Sequence, residues 1–228
     1  SRAMKDKLLQ GYFNAMIFRD LIERYNLSNP ERIKYMIKRL MAGMTKPASI
    51  NAIYNDKRSQ GRKVTKDDLY DIAEKTCSVF LLYKVTKFAP SFKKETSSLP
   101  KYYCVDNGLR QSVLLPGRDD DGILFENAVF LQLLRNLSDG EKICYYLGDK
   151  ECDFVIQADT GVKELIQVCW DMKDKATRDR ELAGIREAAS LTGCQKMTIV
   201  THEQEENIGD KAGTIHIVPA WKWFLEKQ

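Results

Sequence analysis

The sequence predicts an α/β protein of two domains, a mainly helical one over residues 1–110 and a mixed α/β one over residues 111–228. The length of 228 residues exceeds that of an average domain, and either half is long enough to bury a core of its own. Residues 1–105 carry a net charge of +11 and residues 106–228 one of −7, which together give the overall +4. A charge asymmetry of this size indicates two modules, of which the first suits a polyanion.

Several classes of protein are excluded by composition and by missing motifs. Hydrophobic residues make up 43% and charged residues 30%, as in ordinary globular proteins. No apolar run reaches the ~18–20 residues of a membrane span, so we expect no membrane partner. The six cysteines form no CxxC pair, which is consistent with a reduced, cytoplasmic protein. The sequence has neither a GxxxxGK[ST] loop nor a GxGxxG turn, so these residues themselves should bind neither ATP nor a dinucleotide.

The first domain reads as helices followed by a strand pair. Apolar spacing predicts helices over residues 5–26 and from Pro30 to Met41, with Pro30 in a first helical turn. Ser49 and Thr65 are predicted N-caps of two further helices, separated by a turn at residues 59–61. Strands are expected over residues 79–85 and 101–105, and residues 106–108 read as a turn. This order is typical of a winged helix-turn-helix module, whose DNA-binding form inserts the third helix into the major groove.

Basic residues cluster at the two places where such a module meets DNA. One group surrounds the turn and the start of the presumed recognition helix, and the other lies at the tip of the wing. These positions favour phosphate contacts. The predicted DNA-binding residues are Arg58, Arg62, Lys63, Lys66, Lys93 and Lys94. The alternative is a winged helix used for protein contacts, with solvated lysines.

The second domain alternates helices and strands, as expected for an α/β fold. A helix is predicted over residues 123–136, followed by three strands, a charged helix, two short strands and a closing helix. The predicted ranges of these later elements are 143–147, 151–157, 162–170, 176–191, 197–201 and 214–218, with the closing helix around Trp221. Ion pairs with Glu181 and Glu187 are the preferred reading of the arginines on the charged helix.

Polar residues interrupt the apolar pattern of this domain at four positions. Glu126 lies in the opening helix and Asp153 in an apolar strand, while Gln167 and Cys169 stand two apart and so face one side of the sheet. A carboxylate within an apolar strand is costly unless it is paired or binds a cation. Phosphodiester cleavage with Mg²⁺ uses two such acids and a neighbouring lysine. Glu126 and Asp153 are therefore the candidate metal ligands, and an ion pair is the alternative role of Glu126.

Three segments, Phe125-Glu126-Asn127, Glu151-Cys152-Asp153-Phe154 and Gln167-Val168-Cys169, resemble the PD-(D/E)xK nuclease fold. Together with the first domain they resemble the C-terminal domain of unknown function that follows an AAA-type ATPase module in many bacterial and archaeal proteins. The resemblance covers nearly the whole chain and implies that the ATP-binding motifs lie upstream of Ser1 in a longer protein. It implies Glu126, Asp153 and Gln167 as catalytic positions, with Mg²⁺ or Mn²⁺ as the only cofactor of an active site. The sequence departs from the family pattern at Cys169, which stands where the family has a lysine.

The leading expectation is a C-terminal region of an AAA-type ATPase that engages DNA or a partner, with a nuclease-like domain that has lost its activity. The first alternative is a metal-dependent DNA endonuclease that uses Glu126, Asp153 and Gln167. The second is a protein-interaction adaptor, in which the winged helix docks a partner protein or the ATPase module itself.

Overall fold

The structure, a computed structural model, describes residues 2–61, 64–89, 95, 97–115, 117, 120–210 and 213–226. Over these residues it is a mixed α/β protein with eight α-helices, one π-helix and eight strands. The chain forms two units, and β1 (Leu82–Lys87) passes from one to the other. Unit 1 comprises residues 1–84 and 99–118, and unit 2 comprises residues 85–98 and 119–228.

Unit 1 is built mainly of helices, four of which begin with a side chain that caps a backbone N–H group. The helices are α1 (Arg2–Ala15), a π-helix (Met16–Glu23), α2 (Pro30–Ala42), α3 (Ile50–Ser59), α4 (Lys66–Ser78) and α5 (Asn107–Val113). The predicted caps are confirmed: the Ser49 side chain accepts from the backbone N–H of Ala52, and that of Thr65 accepts from Asp68. Such caps each contribute about 1 kcal/mol.

The apolar stripes of these helices form the core of unit 1. In the helix predicted over residues 5–26, Leu8 is 55% exposed, whereas Phe13, Ile17 and Leu21 are buried. The fully buried side chains of the first two helical segments and α2 are Ile17, Leu21, Ile33, Met36, Ile37, Leu40 and Met41. Residues 106–108, predicted as a turn, instead begin α5, which Asp106 caps through the backbone N–H of Leu109.

The strand predicted over residues 79–85 begins later, because α4 ends in a Schellman motif. Phe80 has a positive φ of 58°, its N–H donates to the carbonyl of Cys77, and the N–H of Leu81 donates to that of Thr76. Glycine usually occupies this position because a Cβ destabilises the left-handed conformation. Residues 79–81 therefore close the helix, and β1 begins at Leu82.

The strands form a sheet of order β2-β1-β3-β4-β5-β6-β8-β7. Strands β3, β4 and β5 are antiparallel neighbours, β6 runs parallel to both β5 and β8, and β7 pairs antiparallel with β8. In unit 2, β1 pairs in parallel with β3. The remaining strands are β2 (Lys101–Cys104), β3 (Lys142–Leu147), β4 (Glu151–Ala158), β5 (Gly161–Cys169), β6 (Lys196–Thr201), β7 (Glu206–Asp210) and β8 (Gly213–Pro219).

Unit 2 places helices on both faces of its strands. These helices are α6 (Asp120–Arg135), α7 (Lys175–Thr192) and α8 (Ala220–Glu226). α7 packs against β4 and β5, where Gln167 and Cys169 face it, and α6 packs against β5 from the other side. Unit 2 therefore runs α6-β3-β4-β5-α7-β6 through its centre.

Candidate functional site

The candidate site lies where the backbone pairing of β4 and β5 ends. The last paired residues are Phe154 and Ile166, and the next bonds use side chains. The N–H of Asp153 donates to Oε1 of Gln167 at 3.1 Å, and the N–H of Val168 donates to Oδ2 of Asp153 at 2.9 Å. Asp153 and Gln167 are 7% and 5% exposed, so the polar pair is held almost entirely inside the protein.

A second carboxylate, that of Glu181 on α7, joins this pair. Nε2 of Gln167 donates to Oε2 of Glu181 at 2.5 Å, so the amide bridges the backbone of β4 and the helix. The guanidinium of Arg180 donates to Oε1 of Glu181 at 2.6 Å through Nη2 and at 3.1 Å through Nε. Glu181 is buried, whereas the Arg180 side chain is 65% exposed. The cation thus lies toward solvent and the acids lie within.

Cys169 contributes a neutral thiol to this cluster. Its Sγ donates to the carbonyl of Asp171 at 3.3 Å. Burial, and next the negative charge of Glu181, raise the pKa of Cys169 to about 11. The hydrogen bond to Glu181 raises the pKa of Arg180, so the guanidinium stays charged at neutral pH.

Glu126 lies on α6, the helix that packs on the face of the sheet opposite α7. It is half-buried on α6, next to Phe125, whose ring meets that of Trp170 edge-on at a centroid distance of 5.5 Å. The structure thus brings together Asp153, Gln167 and Cys169. Within the described part of the chain, no group of three or more His, Cys, Asp or Glu is arranged to hold a metal ion. The metal role of Glu126 and Asp153 stays a prediction.

The sequence predicted that Glu181 pairs with an arginine of α7 and did not predict its part in the site. The pairing with Arg180 is present, but Glu181 is also buried against Gln167. Its position four residues before the buried Ile185 places it on the apolar side of α7, and this spacing was the available signal. Glu187, the other expected partner, accepts hydrogen bonds from Tyr146, Asp149 and Lys150.

The predicted DNA-binding residues are described in part. Arg58 at the end of α3 and Lys66 at the start of α4 are both exposed. Arg62, Lys63, Lys93 and Lys94 lie outside the described residues. Between its two lysines, α4 itself carries acids, namely Asp67, Asp68, Asp71 and Glu74. Of the predicted DNA-binding residues, the two that are described thus lie before α4 and at its first position. The exposed side of α4 itself carries acidic side chains.

Two curated relatives are similar to nearly the whole chain. "Uncharacterized protein MJ1544" of Methanocaldococcus jannaschii is 29% identical over 97% of the chain and 51% of its own length. An uncharacterized protein of Haemophilus influenzae is 23% identical over 98% of the chain and 53% of its own length. The chain thus spans about half the length of these relatives.

No solved structure is significantly similar to the chain. None of the helices described here is long and apolar enough to cross a membrane. The model of one family, described as a domain of unknown function (DUF8612), matches residues 1–120, which is more than half of the chain. The chain therefore belongs to the DUF8612 family.

Proposed function

We propose that this chain engages DNA and that unit 2 is a PD-(D/E)xK-like domain without a competent cleavage site. The order α6-β3-β4-β5-α7-β6 supports the nuclease-like reading. So do two of the three buried acids in the described part of unit 2, Asp153 and Glu181, which Gln167 joins at the end of the β4–β5 pairing. Buried carboxylates are costly and are therefore uncommon outside sites of function.

The neutral thiol of Cys169 is the observation that supports the proposed lack of DNA cleavage. A cation beside the reacting phosphate stabilises the charge that develops during cleavage; for comparison, removing one hydrogen-bond donor from an oxyanion hole typically costs about 2.7–4 kcal/mol. With its pKa raised to about 11, Cys169 supplies no charge at neutral pH, positive or negative. Arg180 belongs to the same cluster, but two nitrogens of its guanidinium already donate hydrogen bonds to Glu181.

Unit 1 supports DNA engagement through its order of elements and its charge. Helices α2, α3 and α4 are followed by β1 and β2, the order expected of a winged helix-turn-helix. The residues of unit 1 carry 20 Lys and Arg against 10 Asp and Glu, a net charge of +10, and Arg58 and Lys66 are exposed on either side of the turn between α3 and α4. Phosphate contacts from this basic surface would supply affinity that falls steeply with salt.

One observation favours the adaptor as a second candidate. In a DNA-binding module the recognition helix enters the major groove, where acidic side chains are repelled by phosphates. The exposed positions of α4 include Asp67, Tyr70 and Glu74. A basic protein surface is a better match for this helix than a DNA groove, so unit 1 would then dock a partner through α4.

The ATPase context remains part of the proposal. The resemblance implies an AAA-type ATPase module, and the curated relatives are about twice as long as this chain. ATP would be a cofactor of that module alone. In the longer protein, the chain would connect ATP-driven motion to DNA or to the docked partner.

Restoring the missing cation tests the proposal for unit 2. The wild type should not cut plasmid or branched DNA with Mn²⁺, and Cys169→Lys should gain metal-dependent cutting that EDTA abolishes. Cys169→Met, similar in length but neutral, is the matched control and should remain inactive. Cutting by the wild type that is lost in Asp153→Ala would instead establish the endonuclease.

Charge reversal tests the DNA proposal for unit 1. Lys66→Glu should weaken duplex binding at low salt and reduce its salt dependence. Lys150→Glu, at an exposed lysine of the β3–β4 turn, changes the net charge equally and should leave binding almost unchanged. If the wild type does not bind duplex DNA at low salt, the adaptor becomes the leading function.

A further inference from the structure

A pair of exposed, stacked rings stands directly beyond the candidate site. Cys169 on β5 and Thr201 on β6 are register partners, and the next residues on these parallel strands are Trp170 and His202. Their rings stack at a centroid distance of 4.2 Å with an interplanar angle of 15°. The N–H of His202 also donates to the carbonyl of Trp170 at 3.2 Å, so the backbone fixes the pair.

The stack is rigid on one side and open on the other. The buried Phe125 supports the indole of Trp170 edge-on. Trp170 nevertheless remains 42% exposed, and the side chain of His202 is 47% exposed. An aromatic surface that is already fixed loses little entropy when a ligand binds to it. Large exposed aromatic groups of this kind are more common at binding surfaces than elsewhere.

We propose that Trp170 and His202 form a stacking platform for an unpaired nucleobase of single-stranded DNA, an inference that rests on the DNA engagement proposed above. Offset or parallel stacking of flat rings is the geometry by which aromatic side chains hold bases without sequence preference. A base within a duplex has both faces covered and is not available to such a platform. The ligand is therefore a strand end, a flap or an extruded base.

An exposed lysine close in sequence to the platform suits a strand that continues past it. Lys173, three residues after Trp170, is 78% exposed. The nearby carboxylate of Asp171 is engaged by Lys173 and Gln204, which reduces its repulsion of a phosphate.

The test compares labelled single strands, blunt duplexes and duplexes with a single-stranded overhang by fluorescence anisotropy. The quantity measured is the ratio of the dissociation constants for single strand and duplex. Trp170→Ala should weaken binding of the single strand and the overhang at least about fivefold and leave the blunt duplex unchanged. Trp170→Phe should keep most of the affinity. Trp221→Ala, at a Trp that is 63% exposed on α8, is the matched control and should change nothing.

The outcomes separate this inference from the proposed function. Lys66→Glu should weaken binding of all three DNAs and leave the ratio unchanged, because its effect is electrostatic. If Trp170→Ala binds the overhang as the wild type does, with thermal unfolding unchanged, the platform is wrong while DNA engagement stands. The platform is also wrong if Trp221→Ala weakens binding of the single strand and the overhang as much as Trp170→Ala does. If the wild type binds none of the three DNAs at low salt, both proposals are overturned.

Discussion

At the scale of single residues, Phe80 occupies a position that its side chain does not favour. The left-handed conformation of a non-glycine residue costs about 1–2 kcal/mol, and Phe80 recovers little of this by packing, since it is 66% exposed. We expect Phe80→Gly to raise the free energy of unfolding by about 0.5–1 kcal/mol after the entropy cost of a new glycine. Chemical denaturation measures this change.

The matched control for this prediction is Phe80→Ala. It removes the ring, including its contact with Tyr83, but keeps a Cβ in the left-handed conformation. Stabilisation by glycine alone would identify relief of backbone strain as the cause. If both variants are destabilised equally, the ring contributes more to stability than its exposure indicates.

Glu187 gives unit 2 a pH dependence whose sign follows from its partners. Its carboxylate accepts from the Tyr146 hydroxyl at 2.8 Å and from the N–H groups of Asp149 and Lys150 at 2.9 and 3.0 Å. These bonds, that of Tyr146 first, hold the pKa of Glu187 below its ordinary value of 4.5. Because the pKa is lower in the folded state, the ionised Glu187 stabilises the fold above pH 4.5. This stabilisation is lost as the pH falls through the folded-state pKa.

Denaturation between neutral and acidic pH checks this expectation. Glu187→Gln should be less stable than the wild type at pH 7. The difference should shrink as the pH falls below 4.5, the ordinary pKa of a glutamate carboxyl. Asp139→Asn, at an exposed residue between α6 and β3, is the control and should follow the wild type at every pH. A difference that is constant with pH would assign the effect to packing.

The site residues differ in how far the sequence could predict them. Asp153 stands out because an acid within an apolar strand is rare, and Gln167 and Cys169 follow from strand alternation. Glu181 sits in a helix with many charges, so only its spacing from Ile185 distinguishes it. The stacking of Trp170 on His202 depends on the register of β5 and β6, which are 32 residues apart at this point, and no local pattern reports it.

At the scale of elements, α7 lies so close to the sheet that only glycine fits at one contact. A Cβ on Gly184 would collide with the backbone carbonyl oxygen of Glu151 on β4. We therefore expect Gly184→Ala to lower the free energy of unfolding by about 1–3 kcal/mol, although alanine favours helices, because backbone cannot move aside cheaply. Urea denaturation of the purified chain measures the change.

A second glycine provides the control for α7. Gly11 lies inside α1, and a Cβ there would meet nothing within 4 Å. Gly11→Ala should therefore stabilise the chain by about 0.5–1 kcal/mol. Opposite signs for the two substitutions would show that the close approach to β4 decides the result. Equal stabilisation would mean that α7 can move away from the sheet.

The elements that sequence patterns predicted best are those with strong periodicity. The strands β3 to β6 and the helix α7 lie within one or two residues of their predicted bounds. Two elements were missed for physical reasons. α5 begins with Asn107-Gly108, residues typical of turns, and depends on the cap from Asp106. β7 is polar, contains a glycine and lies next to β8 at the edge of the described sheet, so its sequence lacks the alternation of a buried strand.

At the scale of the whole molecule, the two units share β1, so they cannot be separated by a single cut. Residues 85–98 belong to unit 2, yet residues 99–118 return to unit 1. A fragment of residues 119–228 would lack the strand residues Thr86 and Lys87, which pair with Cys144 and Tyr145 of β3. Unpaired strand edges promote association. We expect this fragment to self-associate, as measured by size-exclusion chromatography with light scattering.

The full chain is the reference for this experiment, and a peptide of residues 82–98 is its complement. Adding the peptide should reduce the association of the fragment, because it can pair with β3. A fragment that is monomeric and folded without the peptide would show that β1 is dispensable for unit 2. A boundary near residue 110 or 118 would then be sufficient to divide the protein.

The path of β1 also has a consequence for the time at which the protein can fold during its synthesis. Thr86 and Cys144 are 58 residues apart in sequence. At a ribosomal rate of about 5–20 residues per second, β1 waits about 3–12 s for β3 to be made. Lys84 and Lys87 on this short strand hinder its pairing with other chains during that interval. The nascent chain thus carries a strand with one open edge from the synthesis of Lys87 until that of β3, and its charges protect this edge until β3 emerges.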